Sequence, residues 1–301
     1  MRISTNTIFD MGVAGMQQAT SDMVKTQLQI TAGRRILTPS DDPVASARVL
    51  EVTQSQTLNL QYDTNIRTAT SSLSMEDSIL GSVAELIVSV RTEAVGAEAP
   101  LLTDQARLNI ATGLRGRYQE LLGLANSTDG NGQYLFSGYQ NTKPFSETAT
   151  LGVVNYGGDQ GQRLVQISPS RQLAVSDSGA DVFRSGSPNG DIFKTLGDFI
   201  TKLEDISTPL TAVSADIQKF DQALQNVLRV RASVGTRMNE VDSIKLTGAD
   251  LQLQYQQTLS GLQDLDYTKA ITDLTRQKAT LEAAQLSFTK IQGLSLFNYI
   301  T

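Results

Sequence analysis

The chain has 301 residues, of which 40% are hydrophobic and 19% are charged, with a formal net charge of -6 and no Cys, His or Trp. The absence of histidine removes the commonest general base and metal ligand, which excludes Ser-His-Asp triads and H-E-x-x-H zinc sites, so we expect no enzyme, metal or cofactor. The acidic balance disfavours nucleic acid as a partner, and no apolar run approaches the roughly 18 residues that a membrane span needs.

The first predicted element is a helix that ends near Gly33. It carries an apolar row with a spacing of seven and a neighbouring row of small residues, namely Phe9, Met16, Met23 and Ile30, and Gly12, Ala19, Thr26 and Gly33. A helix of this length needs a partner to persist in water, so we interpret the apolar row as an assembly seam. Residues 1–9 are polar where a signal peptide would carry its apolar core, so we expect no cleaved signal.

The longest predicted helix covers residues 43–97. Asp42 is a natural N-cap beside Asp41, Pro43 suits the first helical position, and Gly96 is the expected C-terminal cap. Two rows repeat every seven residues, namely Val52, Asn59, Ile66, Leu73, Leu80, Ile87 and Ala94, and Tyr62, Ala69, Val83 and Val90. This heptad pattern is typical of a coiled coil, and at about 1.5 Å per residue the helix would be about 80 Å long. We therefore expect a rod.

A third helix is expected after Thr103, which can act as its N-cap. Its apolar face would consist of Leu108, Ala111, Tyr118, Leu122 and Ala125. The segment 129–133 then places oxygen-bearing residues at alternate positions, as in a calcium loop. Because the glycine and the final glutamate that such a loop requires are missing, we predict a turn and no calcium site.

Between residues 134 and 209 the pattern changes to short β-type runs separated by glycine. Residues 153–156 and 163–167 flank a glycine-rich loop and are predicted to pair as a hairpin, and residues 172–176 form another strand. A short helix over residues 191–204 would close the segment, with an apolar face of Phe193, Leu196, Phe199, Ile200 and Leu203. We interpret the segment as a small β domain inserted between helical arms.

Heptads resume after Pro209. The core row of the return helix is Val213, Phe220, Val227, Val234 and Val241. A last helix is predicted from about Gly248 to Gly293, with two rows formed by Tyr267, Leu274, Leu281 and Phe288, and by Ala270, Ala284 and Ile291. Because both ends of the chain carry heptads, we expect them to pack against each other.

These elements predict a mainly α fold, an elongated rod of long heptad-patterned helices with a small inserted β domain. The predicted segments are the N-terminal assembly helix and link (1–42), the first half of the rod (43–133), the inserted β domain with a short helix (134–209), the return helix (210–247) and the C-terminal assembly helix (248–301). The predicted assembly interface consists of Phe9, Met16, Met23, Ile30, Leu274, Leu281, Phe288, Ile291, Leu294 and Phe297.

Several short motifs are not explained by periodicity. They are Met1-Arg2-Ile3-Ser4-Thr5, Gly33-Arg34-Arg35-Ile36, Ser40-Asp41-Asp42-Pro43, Gln133-Tyr134-Leu135-Phe136-Ser137-Gly138, Lys143-Pro144-Phe145, Val234-Gly235-Thr236-Arg237, Ala284-Gln285-Leu286-Ser287-Phe288 and Leu294-Ser295-Leu296-Phe297. In this order they resemble the flagellin superfamily of bacterial flagella, and within it the hook–filament junction proteins. The motifs span nearly the whole chain, and their order is more specific than any one of them.

The resemblance implies a flagellin-like bundle and a structural protein that leaves the cell uncleaved through the flagellar type III apparatus. It implies a ring of identical subunits, outside the cell, between a hook-side hook-associated protein and flagellin. It also implies that an export chaperone binds the C-terminal part. In this family both termini are disordered in the free subunit and become coiled coil on assembly.

Three other interpretations stay open. A filament flagellin would share the motifs but would grow long filaments by itself. The helices also permit a secreted rod-shaped adhesin or effector. An enzyme or ligand-binding module in the inserted segment would draw on Asp159, Arg163, Arg171, Asp177 and Asp181.

Overall fold

The computed structural model describes residues 5–97, 102–184, 191–207 and 213–293. Within these ranges the elements are α1 (Thr5–Ala32), α2 (Pro43–Ala97), α3 (Asp104–Ala125), β1 (Phe145–Glu147), β2 (Val154–Tyr156), β3 (Leu164–Ser168), β4 (Arg171–Ala174), α4 (Gly179–Phe183), α5 (Ile192–Glu204), α6 (Val213–Gln263) and α7 (Tyr267–Gly293). The predicted mainly helical class, with a strand segment between helices, is confirmed. None of the described helices combines the length and the apolarity that crossing a membrane requires.

The chain folds into two compact units, which we describe separately. Unit 1 is formed by residues 1–58 with 250–301, and unit 2 by residues 59–249. The helices α1 and α7 belong to unit 1, whereas α3, α4, α5 and the four strands belong to unit 2. The helices α2 and α6 each contribute residues to both units.

The helix α2 is continuous over 55 residues, as predicted. The Oδ1 atom of Asp42 accepts a hydrogen bond from the backbone N of Ala45 at 3.0 Å, so Asp42 is the N-cap ahead of Pro43. The C-terminal cap expected at Gly96 is wrong, because α2 continues through this residue to Ala97. The side chain of Ala97 is buried, and ending the helix earlier would withdraw it from the core.

In unit 2, α2 and α6 run antiparallel and bring their predicted heptad rows into one core. Ion pairs along the two helices fix this direction, with Arg91 Nε 2.6 Å from Asp221 Oδ1 and Arg231 Nε 2.8 Å from Asp77 Oδ1. These pairs are partly exposed, so we attribute most of the stability to the buried rows. The buried members are Ile66, Ala69, Leu73, Leu80, Val83, Ile87, Val90 and Ala94 of α2, and Val213, Phe220, Val227, Val234 and Val241 of α6.

The strands form two antiparallel hairpins, β1 with β2 and β3 with β4. The predicted pairing of residues 153–156 with 163–167 is therefore wrong, although both runs contain strands. The loop between them is organised by Asp159, whose Oδ1 accepts hydrogen bonds from the backbone N of Tyr139 at 3.0 Å and of Gly161 at 2.8 Å. The chain thus folds around one carboxylate instead of turning directly into a hairpin.

An aromatic cluster fills the core beneath the strands. The ring centroid of Phe145 lies 5.1 Å from that of Tyr156, 5.1 Å from that of Phe193 and 5.3 Å from that of Phe183. Phe136 packs edge-on against Phe183 at 5.3 Å. Since Phe193 belongs to α5, the strand segment shares one core with the helices of unit 2. The predicted apolar face of α5 is buried there, as expected.

The last helical break lies later than predicted. The helix α6 continues past Gly248 to Gln263, and α7 begins at Tyr267. At the glycine, the Nδ2 atom of Asn59 donates a hydrogen bond to the backbone O of Gly248 at 2.8 Å. The break itself occurs where Asp266 accepts a backbone hydrogen bond from the first turn of α7 and caps that helix.

Candidate assembly surface

In unit 1, α1 and α7 pack against each other in antiparallel register. The ring centroids of Phe9 and Phe288 are 5.1 Å apart. A Cβ on Gly12 would lie 3.0 Å from Phe288 Cδ2, and a Cβ on Gly33 would lie 2.9 Å from Tyr267 Oη. The step from Gly12 to Gly33, three heptads forward on α1, thus corresponds to the step from Phe288 to Tyr267, three heptads back on α7. The row of small residues on α1 lets the large side chains of α7 approach.

The predicted interface residues that the structure describes meet largely within one chain. Met16 and Leu281 line the same groove, which has a volume of about 310 Å³. The half-buried members are Met16, Met23, Ile30, Leu274, Leu281 and Phe288, whereas Phe9 is 45% exposed. The side chain of Ile291, and residues Leu294 and Phe297, lie outside the described residues. A contact of this seam with a neighbouring subunit stays a prediction.

Asp41 fastens the link between α1 and α2. Its Oδ1 atom lies 2.7 Å from Nζ of Lys25, and its Oδ2 atom accepts hydrogen bonds from the backbone N of Leu37 and Thr38 at 3.0 and 2.9 Å. The hydrogen-bonded Lys25 ammonium, followed by these two N–H groups, holds the pKa of Asp41 well below its usual range. The hydrogen bond from the first turn of α2 likewise lowers the pKa of Asp42. Both side chains are therefore charged acceptors that order the link.

Arg35 joins this link to the corner between α6 and α7. Its backbone N donates to the O of Gln263 at 2.7 Å, and its Nη2 donates to the O of Leu262 at 2.9 Å. These carbonyls belong to the last turn of α6, where a cation is favoured by the helix dipole. The N of Leu265 donates in return to the O of Gly33 at 3.2 Å. The motif that begins at Gly33 therefore holds one end of the α1–α7 seam.

Unit 1 leaves many large apolar side chains in solvent. Among its described residues, the buried ones are Thr26, Ala45, Leu259 and Ala270. We call the outer set the exposed large apolar residues Met11, Val24, Leu28, Val44, Leu50, Leu58, Leu251, Leu253, Ile271 and Leu286. Contiguous exposed apolar patches mark interaction sites, and the outer set is our candidate for such a patch.

The outer set was missed from the sequence because its members lie outside the predicted heptad rows. The heptad rows define one apolar face of each helix. Apolar residues on another face then look like isolated surface residues. A signal was present in Val24 and Leu28, which lie four residues apart and so share a helix face. Two apolar faces on one helix would have indicated two different neighbours.

The polar residues considered for a ligand site in the strand segment have structural partners. The partners are Gln133 for Arg163, Glu240 for Arg171, Arg237 for Asp177, and the backbone of Tyr139 and Gly161 for Asp159. Asp181 is exposed in α4. These contacts favour structural roles over ligand binding.

The chain is similar over its whole length to two known flagellar proteins. It is 33% identical over 317 residues to flagellar hook-associated protein 3 of Escherichia coli (strain K12), with 99% of each chain covered. It is 32% identical over 316 residues to the protein of the same name from Salmonella typhimurium, again with 99% of each covered. A sequence profile for the bacterial flagellin N-terminal helical region matches residues 3–141.

Solved structures share the fold. Flagellar hook-associated protein 3 from Legionella pneumophila has a TM-score of 0.64 and 20% identity, covering 71% of this chain and 98% of that one. A structure from the same organism described as the flagellar junction protein FlgL has a TM-score of 0.59 and 20% identity, covering 72% and 100%. At these identities the similarity establishes a common fold.

Proposed function

Because the chain belongs to the flagellar hook-associated protein 3 family, we propose that it is a structural component of the bacterial flagellum that joins the hook side to the flagellin filament. It would act there as a ring of identical subunits, with a hook-side hook-associated protein and flagellin as its neighbours. The name of a Legionella structure with the same fold, a flagellar junction protein, supports this position. We expect export through the flagellar type III apparatus, assisted by an export chaperone, and an extracellular location.

The contrast between the two units is the observation that carries this proposal. Unit 2 encloses a continuous buried core, whereas the described part of unit 1 buries four residues and leaves the outer set exposed. Burying one Leu-sized side chain is worth about 1.5–3 kcal/mol, so several members of the set per subunit supply a large driving force for association. In our proposal the α1–α7 seam orders each subunit, and neighbouring subunits cover the outer set. The assembly segments are then residues 1–42 and 248–301, and the mechanism is packing, without catalysis.

Deletion of the gene in its own bacterium tests the proposed position. We expect hooks without filaments, and flagellin released into the medium. In complemented cells, an immunogold label against the protein should mark a single site at the hook end of each filament. Label along the whole filament would identify a filament flagellin instead. Normal filaments in the deletion strain would contradict the proposal and favour a secreted adhesin, an effector or a ligand-binding protein.

A pair of substitutions tests the role of the outer set. Leu28→Asp places a charge in the set, and Gln27→Asp adds the same charge at the preceding position, which is already polar and exposed. Neither side chain is buried, so both variants should keep the circular dichroism spectrum of the parent. We expect L28D cells to shed flagellin and Q27D cells to swim. Normal filament attachment by L28D would show that the outer set is not the assembly surface.

A further inference from the structure

A buried carboxyl interrupts one of the heptad rows of α2. Position 76 falls in the row that contains Tyr62, Ala69, Val83 and Val90, yet it is occupied by a glutamate. The Glu76 residue is only 1% exposed. A buried carboxylate is costly unless it is paired, so a glutamate at this place needs a physical explanation.

One oxygen of this carboxyl holds the chain that follows β4. The Oε1 atom of Glu76 accepts a hydrogen bond from the backbone N of Asp177 at 2.9 Å. Its Oε2 atom is buried and has no hydrogen-bond partner among the described residues. The Asp177 side chain is ion-paired with Arg237 of α6 and accepts a hydrogen bond from Gln162 Nε2 at 2.8 Å. The nearby positive charge of Arg237 is therefore paired with Asp177 and not with Glu76.

The charged groups that face Glu76 are Asp177 from the strand segment and Arg237 from α6. Burial and then the negative charge of Asp177 favour the neutral carboxyl, and the more weakly opposing Arg237 does not compensate. Together they raise the pKa of Glu76 to about 8. Because Oε1 accepts a hydrogen bond, the proton belongs on Oε2, which is then a neutral hydroxyl in place of an unpaired anionic oxygen.

We propose that Glu76 is a protonation-dependent latch that holds the chain around Asp177, which follows β4, against α2. While its carboxyl is neutral, the chain around Asp177 stays docked on α2. When the proton is lost in mildly alkaline solution, two carboxylates share one buried site and the chain around Asp177 is released. The latch lies within unit 2 and does not rest on the proposed flagellar function.

Proton linkage fixes the direction of the effect. The docked state keeps the proton between the ordinary glutamate pKa of 4.5 and about 8, whereas the released state, with its carboxyl in water, has already lost it. The contribution of this group to docking is therefore complete below about pH 4.5 and is lost as the pH rises through about 8. Within that window the release constant should rise about tenfold per pH unit.

Glu76→Gln tests the titration, because glutamine has the shape of the protonated acid and does not ionise. We would measure urea unfolding of the full chain and of E76Q by circular dichroism between pH 5 and 9. The ratio of the two unfolding constants cancels the other titrating groups. It should rise about tenfold per pH unit below about pH 7.5 and level off above pH 8. Glu85→Gln, an exposed site on the same helix, is the matched control and should give a flat ratio.

Hydrogen exchange of a peptide over residues 171–178 tests the latch itself. The parent and E76Q are compared at the same pH, so that intrinsic exchange rates cancel. At pH 8.5 the parent should exchange at least about tenfold faster in this peptide, with a difference of at most a few-fold at pH 5 and none in α3 at either pH. Equal exchange at pH 8.5, or a pH-independent unfolding ratio, would overturn the proposal. Should E76Q fail to fold, a carbon-13 titration of the parent decides: a Glu76 midpoint near pH 8 supports the latch, and one below pH 6 overturns it.

Discussion

The ring centroid of Phe9 lies 5.1 Å from that of Phe288, so side chains from the two ends of the chain contact each other within one subunit. This contact gives the predicted seam an intramolecular partner. The outer set remains as the apolar surface of unit 1 that has no cover within the described part of the subunit. In the proposed assembly, folding of the subunit and association with its neighbours would therefore draw on different residues, which would separate their mutational effects.

Phe288→Ala should weaken unit 1 selectively. It removes one ring of the aromatic pair and half-buried area, so we expect unit 1 to lose about 1–2 kcal/mol of unfolding free energy. Limited proteolysis should then cut α1 and α7 sooner, while residues 59–249 stay resistant. Leu286→Ala is the control on the same helix, since Leu286 is exposed, and it should cost less than about 0.5 kcal/mol in the subunit. Equal losses in the two variants would contradict this account of the seam.

Gly33→Ala should also destabilise unit 1. Gly33 has a φ of 67°, and an added Cβ would meet Tyr267 Oη at 2.9 Å, so we expect a loss of about 1–2 kcal/mol in urea unfolding. In the double variant, Tyr267→Phe removes that oxygen. It should recover the part of the stability loss that comes from the clash, but not the part that comes from the positive φ. Gly15→Ala is the matched control in the same region: no side chain approaches Gly15, and alanine there should stabilise the helix by about 0.5–1 kcal/mol. A stabilising Gly33→Ala would refute the assigned backbone role.

Acid should weaken the link between α1 and α2. The pKa of Asp41 is lowered by Lys25, so its stabilising effect is present above the ordinary value of 3.8 and is lost as the pH falls below it. The stability advantage of the parent over Asp41→Asn should therefore shrink between pH 5 and pH 2, as measured by urea unfolding. In a Lys25→Met background the stability advantage of Asp41 over the Asp41→Asn variant should also be smaller at pH 5, because one partner of the ion pair is missing. An advantage that does not change with pH would exclude the charged contact.

Phe145→Ala should strongly destabilise unit 2. Its fully buried ring contacts Tyr156, Phe183 and Phe193, and such truncations cost about 3–5 kcal/mol. We expect a correspondingly lower urea midpoint and loss of the near-ultraviolet tyrosine signal. Val153→Ala, at an exposed position beside β2, should cost less than about 1 kcal/mol. A small effect of Phe145→Ala would mean that the aromatic cluster is not the core of the strand segment.

The heptad rows could be predicted because each residue's burial follows from a local period. Leu73 and Phe220 lie in such rows, and both are fully buried. The pairing of the strands could not be predicted in this way, since β1 and β2 have only three residues each and their register depends on distant packing. The carboxylate of Asp159, which redirects the intervening loop, reads in the sequence as an ordinary turn residue. A helix boundary was predicted near Gly248, but this glycine lies inside α6, and its carbonyl accepts a hydrogen bond from Asn59.

The motifs that carried the family resemblance have physical explanations in the fold. Gly33 needs a positive φ at the end of α1, and Arg35 binds the end of α6. Gly138 has a φ of 72° and lies against Asp159, where a side chain would collide. Arg237 forms an ion pair with Asp177. These roles involve residues far apart in the sequence, which is why spacing alone did not reveal them.

The periodic seam between α1 and α7 has one further consequence. Because the row of small residues on α1 and the row of large residues on α7 both repeat every seven residues, sliding one helix by seven residues would place similar side chains opposite each other again. Packing within the seam therefore discriminates weakly between such shifted alignments. The backbone hydrogen bonds from Arg35 to Gln263 and from Leu265 to Gly33 cannot be shifted in this manner, since they occur once. The short link between α1 and α2 thus selects one alignment of α1 with α7 from several that would pack in a similar way.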